Sequence, residues 1–320
     1  MPDLISNLAC PFCRQPFYGI DLEAICSVCN VRFPVLNGIP RFVPKENYAD
    51  SFGLQWNRFA TTQIDSKVGT NRSELRFINE TLWNEETLKG KLVLDAGCGS
   101  GRFSEIALKF GANLIAVDYS SAVDAARRNL TPHNNLIVQG NLELLPISNE
   151  TFDFIYCIGV LQHTSRPDVI IRELLRCLKI GGEMTLTFYE NSSWHVLLYS
   201  KYLIRPITKR INKLFLLKLI SYSSFLWFPV TKILFSLPKP ISTMLRFIIP
   251  IANYVEFEYR SKNLARDEAV LDTFDMLSPS YDKPIKKSTL ITWLEESDMN
   301  FEILDSTQAY GTVRLRKTGQ

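Results

Sequence analysis

Short apolar runs alternate with helical patterns through the middle of this chain. Residues 92–95, 113–117, 135–138, 152–157 and 183–189 are rich in Val, Ile, Leu, Phe and Tyr. Runs of that length and composition suit strands buried on both faces. Between and around them, 102–110, 121–129 and 167–179 repeat apolar residues at helical spacing. Such alternation predicts a parallel sheet with right-handed crossovers. Near the carboxyl end a helix over 288–298 leads to two more strands, about 300–305 and 309–316. The expected fold is α/β: a seven-stranded, mostly parallel, doubly wound sheet.

The first strand ends in Asp95-Ala96-Gly97-Cys98-Gly99-Ser100-Gly101, and a helix pattern starts at Arg102. Glycines permit a tight turn and let backbone approach a ligand. Ligands of open α/β sheets bind at this end of the strands. A dinucleotide fingerprint spaces its glycines G-x-G-x-x-G; here the spacing is two and two, and an acid precedes it. That acid repels a pyrophosphate and suits a cation. The second strand ends in Asp118, placed for ribose hydroxyls. D-x-G-x-G-x-G with a second acid 17 residues on resembles the class I S-adenosylmethionine-dependent methyltransferases, of Rossmann-like fold.

The resemblance implies that Asp95 and the backbone of Gly97, Gly99 and Gly101 serve the methionine portion of S-adenosylmethionine. Asp118 takes the ribose. Asn141 takes the adenine amino group; Asp is usual there, and the Asn carbonyl oxygen accepts the same bond. Leu144-Leu-Pro-Ile147, Thr151-Phe-Asp-Phe154 and Leu178-Lys-Ile-Gly-Gly182 match the family's L-P-F, F-D and L-K-P-G-G segments, with Ile180 replacing proline. Asp153 is read as structural.

Methyl transfer from a sulfonium needs alignment and, for some nucleophiles, removal of a proton. No fixed triad is expected. Cys157-Ile-Gly-Val-Leu-Gln-His-Thr164 is similar to the V-L-H-H or V-L-Q-H segment of related small-molecule methyltransferases. His163 is the candidate general base; the alternative is a capping or packing histidine. Tyr189, ending the fifth strand, is a further site candidate. Phe52-Gly-Leu-Gln-Trp56 resembles an F-G-x-Q-W segment of a bacterial methyltransferase subgroup (type 11/12-like), implying a helix or lid near the cofactor, with Trp56 a candidate substrate contact. Core packing at i, i+4 explains the same two aromatics. Asp272-Thr-Phe-Asp-Met-Leu-Ser-Pro-Ser-Tyr281 resembles a D-T-F-D-W-x-S-P-x-Y segment of that subgroup. Asp272, Asp275 and Tyr281 are therefore candidates for the acceptor pocket; a loop of Asx and Ser-Pro turns is the alternative.

The amino-terminal segment holds two C-x-x-C knuckles, Cys10/Cys13 and Cys26/Cys29. Four thiolates at this spacing suit a closed, structural zinc site. A segment this short has too little core to fold without a staple. Residues 31–40 read as two short strands around Asn37-Gly38. The whole resembles zinc ribbons found at the front of some methyltransferases and in a methyltransferase-activating partner protein. The other cysteines, among them Cys98 and Cys157, read as small buried residues.

Net charge is only +3, but its distribution is uneven. Between Glu190 and Glu256 there are nine Lys and Arg residues and no Asp or Glu. This stretch is rich in Leu, Ile, Phe, Tyr and Trp. Its longest charge-free run, Leu219 to Thr231, is too short to span a bilayer. A helix opened by Pro206 would carry Ile207, Ile211, Leu214 and Phe215 on one face and Lys209, Arg210 and Lys213 on the other. That suits an anionic membrane interface; a helical lid over the site is the competing expectation. Residues 1–10 show no basic n-region or apolar h-region, so a cytoplasmic protein is expected, peripheral at the inner face of the membrane if the insert docks there.

The division expected is 1–46 zinc ribbon, 47–90 linker and helices, 91–190 with 257–320 methyltransferase core, and 191–256 basic apolar helical insert. The expected activity is methyl transfer to the O or N of a small-molecule, glycan or lipid-linked acceptor. One alternative is an rRNA or tRNA base methyltransferase using the ribbon for RNA; the aliphatic content argues against an RNA surface. Another is a non-catalytic module that binds cofactor or a partner.

Overall fold

The computed structural model describes residues 4–17, 20–44, 47–130, 135–191, 199–297, 299–305 and 311–319. Residues 192–198 of the expected insert, Asp298 of the expected last helix and 309–310 of the expected last strand lie outside these. The strands in chain order are β1 (Glu23–Ile25), β2 (Arg32–Leu36), β3 (Ile39–Pro40), β4 (Leu92–Ala96), β5 (Asn113–Asp118), β6 (Asn135–Gln139), β7 (Phe152–Ile158), β8 (Leu178–Thr187), β9 (Phe301–Asp305) and β10 (Thr312–Lys317). Helices α1 (Asp50–Arg58), α2 (Asp65–Val68), α3 (Arg72–Thr81) and α4 (Glu85–Leu88) precede the large sheet. Helices α5 (Arg102–Lys109), α6 (Val123–Asn129) and α7 (Pro167–Cys177) cross between its strands. Then follow α8 (Ser200–Thr208), α9 (Lys213–Phe235), α10 (Ile241–Ile248), α11 (Lys262–Leu277) and α12 (Lys287–Glu295).

Seven strands form the large sheet in the order β6-β5-β4-β7-β8-β10-β9. The first five run parallel, and β10 pairs antiparallel with both β8 and β9. Successive side chains of a strand face opposite sides, so the sheet has two cores. Leu94, Ala96, Ile115 and Val117 join one cluster, with Ile171 and Leu174 of α7 and Leu290 of α12. Val93, Leu114 and Ala116 join the other, under Phe77, Trp83, Leu88 and Ile106.

The three short strands pair antiparallel as a ribbon, and Asn37 and Gly38 make its turn with positive φ. The ribbon lies against edge strand β6. The Phe42 N–H donates to the Gln139 carbonyl at 2.8 Å, and the Ala9 N–H to the Pro146 carbonyl at 3.0 Å. Leu4, Leu8, Ala24 and Phe42 belong to the large sheet's own core. Arg14 pairs with Glu173 at 3.0 Å and Arg41 with Asp124 at 2.6 Å.

Helix α7 stops at Cys177, two residues short of the 167–179 expected, and β8 begins at once with Leu178 opposite Phe152. Gly181-Gly182 lies inside the strand rather than between helix and strand. Gly181 has φ +80°, and the register shifts between Phe152 and Phe154, so the glycines make a bulge.

The insert departs further from expectation. Pro206 sits inside α8 instead of opening a helix. The chain breaks at 209–212, so of the residues expected on one amphipathic helix Ile207 falls on α8, Lys213, Leu214 and Phe215 on α9, and Lys209, Arg210 and Ile211 between them. Helix α9 runs 23 residues, long and apolar enough by length and composition to cross a membrane. The charge-free run underestimated it, because Lys218 and Lys232 lie within the helix with their heads exposed. Leu216, Leu217 and Ile220 of α9 pack on Val270, Leu271 and Phe274 of α11. Asp272 and Asp275 thus stand on a helix, not in a turn-rich loop, and that helix packs on the insert.

Candidate functional site

The segment from Asp95 to Gly101 lies at the carboxyl end of β4, mid-sheet, where the expected glycine loop belongs. Gly97 and Gly99 have φ of +93° and +53°, a region unfavourable for side-chain-bearing residues. A Cβ on Gly97 would lie 2.4 Å from Val160, and one on Gly99 3.2 Å from the Trp56 indole nitrogen. The backbone is therefore bare where β7's following turn and α1 approach it. The N–H groups of Gly97 and Cys98 both donate to the Val117 carbonyl, at 2.8 and 3.0 Å, which folds the loop over the end of β5.

Two acids flank this loop differently. Asp118 Oδ2 accepts from the Gly99 N–H at 2.9 Å, while Oδ1 accepts from the Ser120 N–H at 2.8 Å and its hydroxyl at 2.7 Å. Burial raises its pKa despite these bonds. Asp95 is buried beneath the loop and accepts from the Ser104 hydroxyl at 2.6 Å. Burial pushes its carboxyl up to about 7, since a charged carboxylate is costly without a cation nearby. Among the described residues, the buried Ser100 hydroxyl, Gln55 Oε1 and Gln162 Oε1 have no hydrogen-bond partner. A cationic, polar ligand on the loop would meet the Asp95 and Asp118 carboxyls and give the Ser100 hydroxyl a partner, so the residues fit S-adenosylmethionine.

Asn141 Oδ1 accepts from the Glu143 N–H at 2.9 Å and caps a 3₁₀ turn over Leu142–Leu144. Nearby, Gln139 Nε2 donates to the Tyr119 carbonyl at 3.1 Å, and Arg41 Nη1 to Gln139 Oε1 at 2.8 Å. The ribbon thus braces the strand end that leads to Asn141. Asp153 is structural as read: it accepts from the Leu92 N–H and from Lys179 Nζ.

His163 ends a 3₁₀ turn over Leu161–His163 and is buried. Its ring lies 5.2 Å from Phe52 and 5.7 Å from the half-exposed Tyr189. Nδ1 stands 3.1 Å from the Tyr281 carbonyl. A carbonyl only accepts, so Nδ1 carries the proton and Nε2 is the basic atom. The Tyr281 ring itself packs edge-on against Tyr48 at 5.2 Å.

Two motifs singled out in the sequence meet in space: Gln55 Nε2 of the F-G-L-Q-W segment donates to Asp275 Oδ1 at 2.9 Å. One turn away, Gln63 Nε2 contacts Asp272 Oδ1 at 3.4 Å. Burial, then neighbouring Glu268 and Asp275, push the Asp272 carboxyl up to about 7. Sequence reasoning missed the residues facing this helix. Arg102 donates to Ser73 and Gln63 at 2.9 and 2.8 Å, and burial pulls its pKa down to about 10. Arg72 holds buried Glu268 through two bonds of 3.0 and 2.7 Å. The available signal was the i, i+4, i+7 spacing of Glu268, Asp272 and Asp275.

The sulfur atoms of Cys10, Cys13, Cys26 and Cys29 lie within 4.8 Å of one another. The Cys29 N–H donates to Cys26 Sγ at 3.4 Å, which lowers the Cys26 thiol while crowding by the other sulfurs raises Cys29. Four sulfurs this close fit a tetrahedral zinc. Cys98 and Cys157 are buried, as expected.

Residues 94–186 match the family model described as methyltransferase domain. A ubiquinone biosynthesis O-methyltransferase of Coxiella burnetii is 32% identical over 117 residues, covering 36% of this chain and 48% of its own. The mitochondrial ubiquinone biosynthesis O-methyltransferase of Schizosaccharomyces pombe is 32% identical over 147 residues, 41% of this chain and 52% of its own. This chain spans about half the length of the curated relatives it matches. Among solved structures, an S-adenosylmethionine dependent methyltransferase from Mesorhizobium loti aligns with a TM-score of 0.42 and 14% identity, over 72% of this chain and 92% of that one. Residues 94–186 thus match a methyltransferase domain, and the four-cysteine ribbon precedes that stretch in the same chain.

Proposed function

We propose that the chain transfers a methyl group from S-adenosylmethionine to an oxygen or nitrogen of a small, lipophilic acceptor, and that its cysteine cluster holds one structural zinc. The observation that carries the reading is the Asp118 carboxylate bonded to the Gly99 N–H above the buried Asp95 carboxyl, which accepts from Ser104. Asp95 suits a cationic methionine portion and Asp118 a ribose; Asn141 stands at the adenine end. When bound, the cofactor supplies a methyl group activated on sulfur. His163, with Nδ1–H held by the Tyr281 carbonyl, offers Nε2 to take the acceptor's proton. Phe52 and Tyr189, both packed against its ring, offer an aromatic surface for the acceptor. Asp272 and Asp275 stand on the helix across from Arg102 and line the acceptor side.

The named O-methyltransferase relatives support an oxygen acceptor of lipophilic character over a nucleobase. The test is transfer of tritiated methyl to cell-extract fractions separated into lipid, small-molecule and RNA pools. Label in lipophilic small molecules is the expected result; label confined to RNA overturns the reading.

A further inference from the structure

Helix α9 is apolar over most of its circumference, and only 28% of its most apolar stretch is buried. Leu216, Leu217, Ile220, Thr231 and Phe235 form its buried face. On the opposite face Phe215, Leu219, Tyr222, Leu226, Val230 and Ile233 recur at three- and four-residue spacing, which places them in one stripe along the helix. All are more than half exposed: Phe215 59%, Leu226 77% and Ile233 70%. Helix α10 repeats the pattern with Ile241, Met244 and Ile248. A surface helix of a globular protein turns polar residues outward, and a contiguous apolar patch of this kind marks an interaction surface.

Charge selects the occupant. Lys218 and Lys232 are exposed on one edge of the stripe. Beside them, between α9 and the start of α11, lies an open groove of ≈ 370 Å³ lined by Phe225, Phe228, Lys232, Lys262 and Arg266. Arg266 stacks over the Phe225 ring at 4.2 Å. No acid occurs between Glu190 and Glu256, so two copies of this surface would repel each other. One face of the helix is fixed to α11 through Leu216, Leu217 and Ile220, which suits a helix lying on a bilayer rather than crossing one.

We propose that this face docks on an anionic lipid bilayer, with the stripe from Phe215 to Ile233 in the interfacial region and Lys218, Lys232, Lys262 and Arg266 at the headgroup phosphates. The assignment stands apart from the methyl-transfer reading. On the other side of α9 from the stripe, the α9–α11 cluster extends to Trp56, which stands against Gly99.

The test is flotation of the full chain with vesicles of phosphatidylcholine, with and without phosphatidylglycerol. Binding is expected to the phosphatidylglycerol vesicles and to weaken with salt. Leu226→Ser with Ile233→Ser should lower the partition coefficient at least about tenfold. Lys218→Gln and Lys232→Gln should each lower it about fivefold, and they keep the assay decisive if the serine pair unfolds. Failure to bind phosphatidylglycerol vesicles overturns the proposal, as does equal binding to both vesicles. A dimer that the serine pair dissociates in sedimentation equilibrium would assign the face to a second copy and overturn it too.

Discussion

The Asp118 carboxylate accepts a hydrogen bond from the backbone N–H of Gly99 at 2.9 Å, which ties the end of β5 to the middle of the glycine loop. The acid assigned to the ribose therefore also sets the loop's shape.

Asp118→Ala removes the acceptor for Gly99 and both bonds from Ser120. Hydrogen bonds to a charged group are worth about 1.5–3 kcal/mol, so cofactor affinity should fall roughly ten- to hundredfold. Titration calorimetry with S-adenosylhomocysteine measures it; an unaltered affinity would remove Asp118 from the site.

Asp95 offers a pH-dependent signature. Its ordinary value is 3.8 and burial raises it to about 7, so the folded chain holds this proton more tightly than the unfolded one. Stability is then lost as pH rises from about 4 towards about 7 and is level above that. Asp95→Asn should be more stable than the parent at pH 8 by a few kcal/mol, at ~1.4 kcal/mol per pKa unit, with no difference near pH 3. Denaturant melts across that range test it. A cationic ligand at Asp95 should also expel its proton, so calorimetric enthalpies near pH 6 should vary with the buffer's ionisation enthalpy. Buffer-independent enthalpies would place the cation elsewhere.

Removing the His163 imidazole should slow turnover by about 10²–10⁴, the usual contribution of a positioned base, and leave cofactor affinity unchanged. His163→Gln keeps much of the packing against Phe52 and Tyr189 while lacking the base. Parent-like turnover in this variant would demote His163 to a packing residue.

One zinc per chain is expected by elemental analysis, falling to none in Cys10→Ser with Cys26→Ser. Because Leu4, Leu8 and Phe42 sit in the large sheet's core, chelation should lower the melting temperature of the whole chain rather than melt a separate unit. A zinc-free chain with the parent's melting temperature would be falsifying.

The sheet and its loop were legible because their signals are local. Apolar runs mark the buried strands, and three glycines between an acid and a helix allow few readings. The motif at Phe52–Trp56 and the one at Asp272–Tyr281 were visible separately; their joining through Gln55 and Asp275 was not, since 220 positions separate the two. Arg102 and Glu268 escaped notice because a buried ion or ion pair looks in sequence like any surface charge. The insert was misread where snorkelling lysines were counted as ends of an apolar segment. The end of α7 was misplaced because a glycine pair serves equally as helix terminator and as strand bulge.

Strand β6 is the outer edge of the large sheet on one side, and the ribbon is what closes it, through Arg41 and Phe42 on Gln139. An open edge of that kind invites pairing with other chains. The boundary at residue 46 is therefore a boundary of motifs and not a line along which the molecule can be cut. A fragment beginning at residue 47 would keep every residue assigned to the methyl donor, yet it would bare Gln139, lose Arg41's brace on it, and leave the adenine end of the site on an unprotected strand. The ribbon is less an appendage than the sheet's missing neighbour, supplied by the same chain.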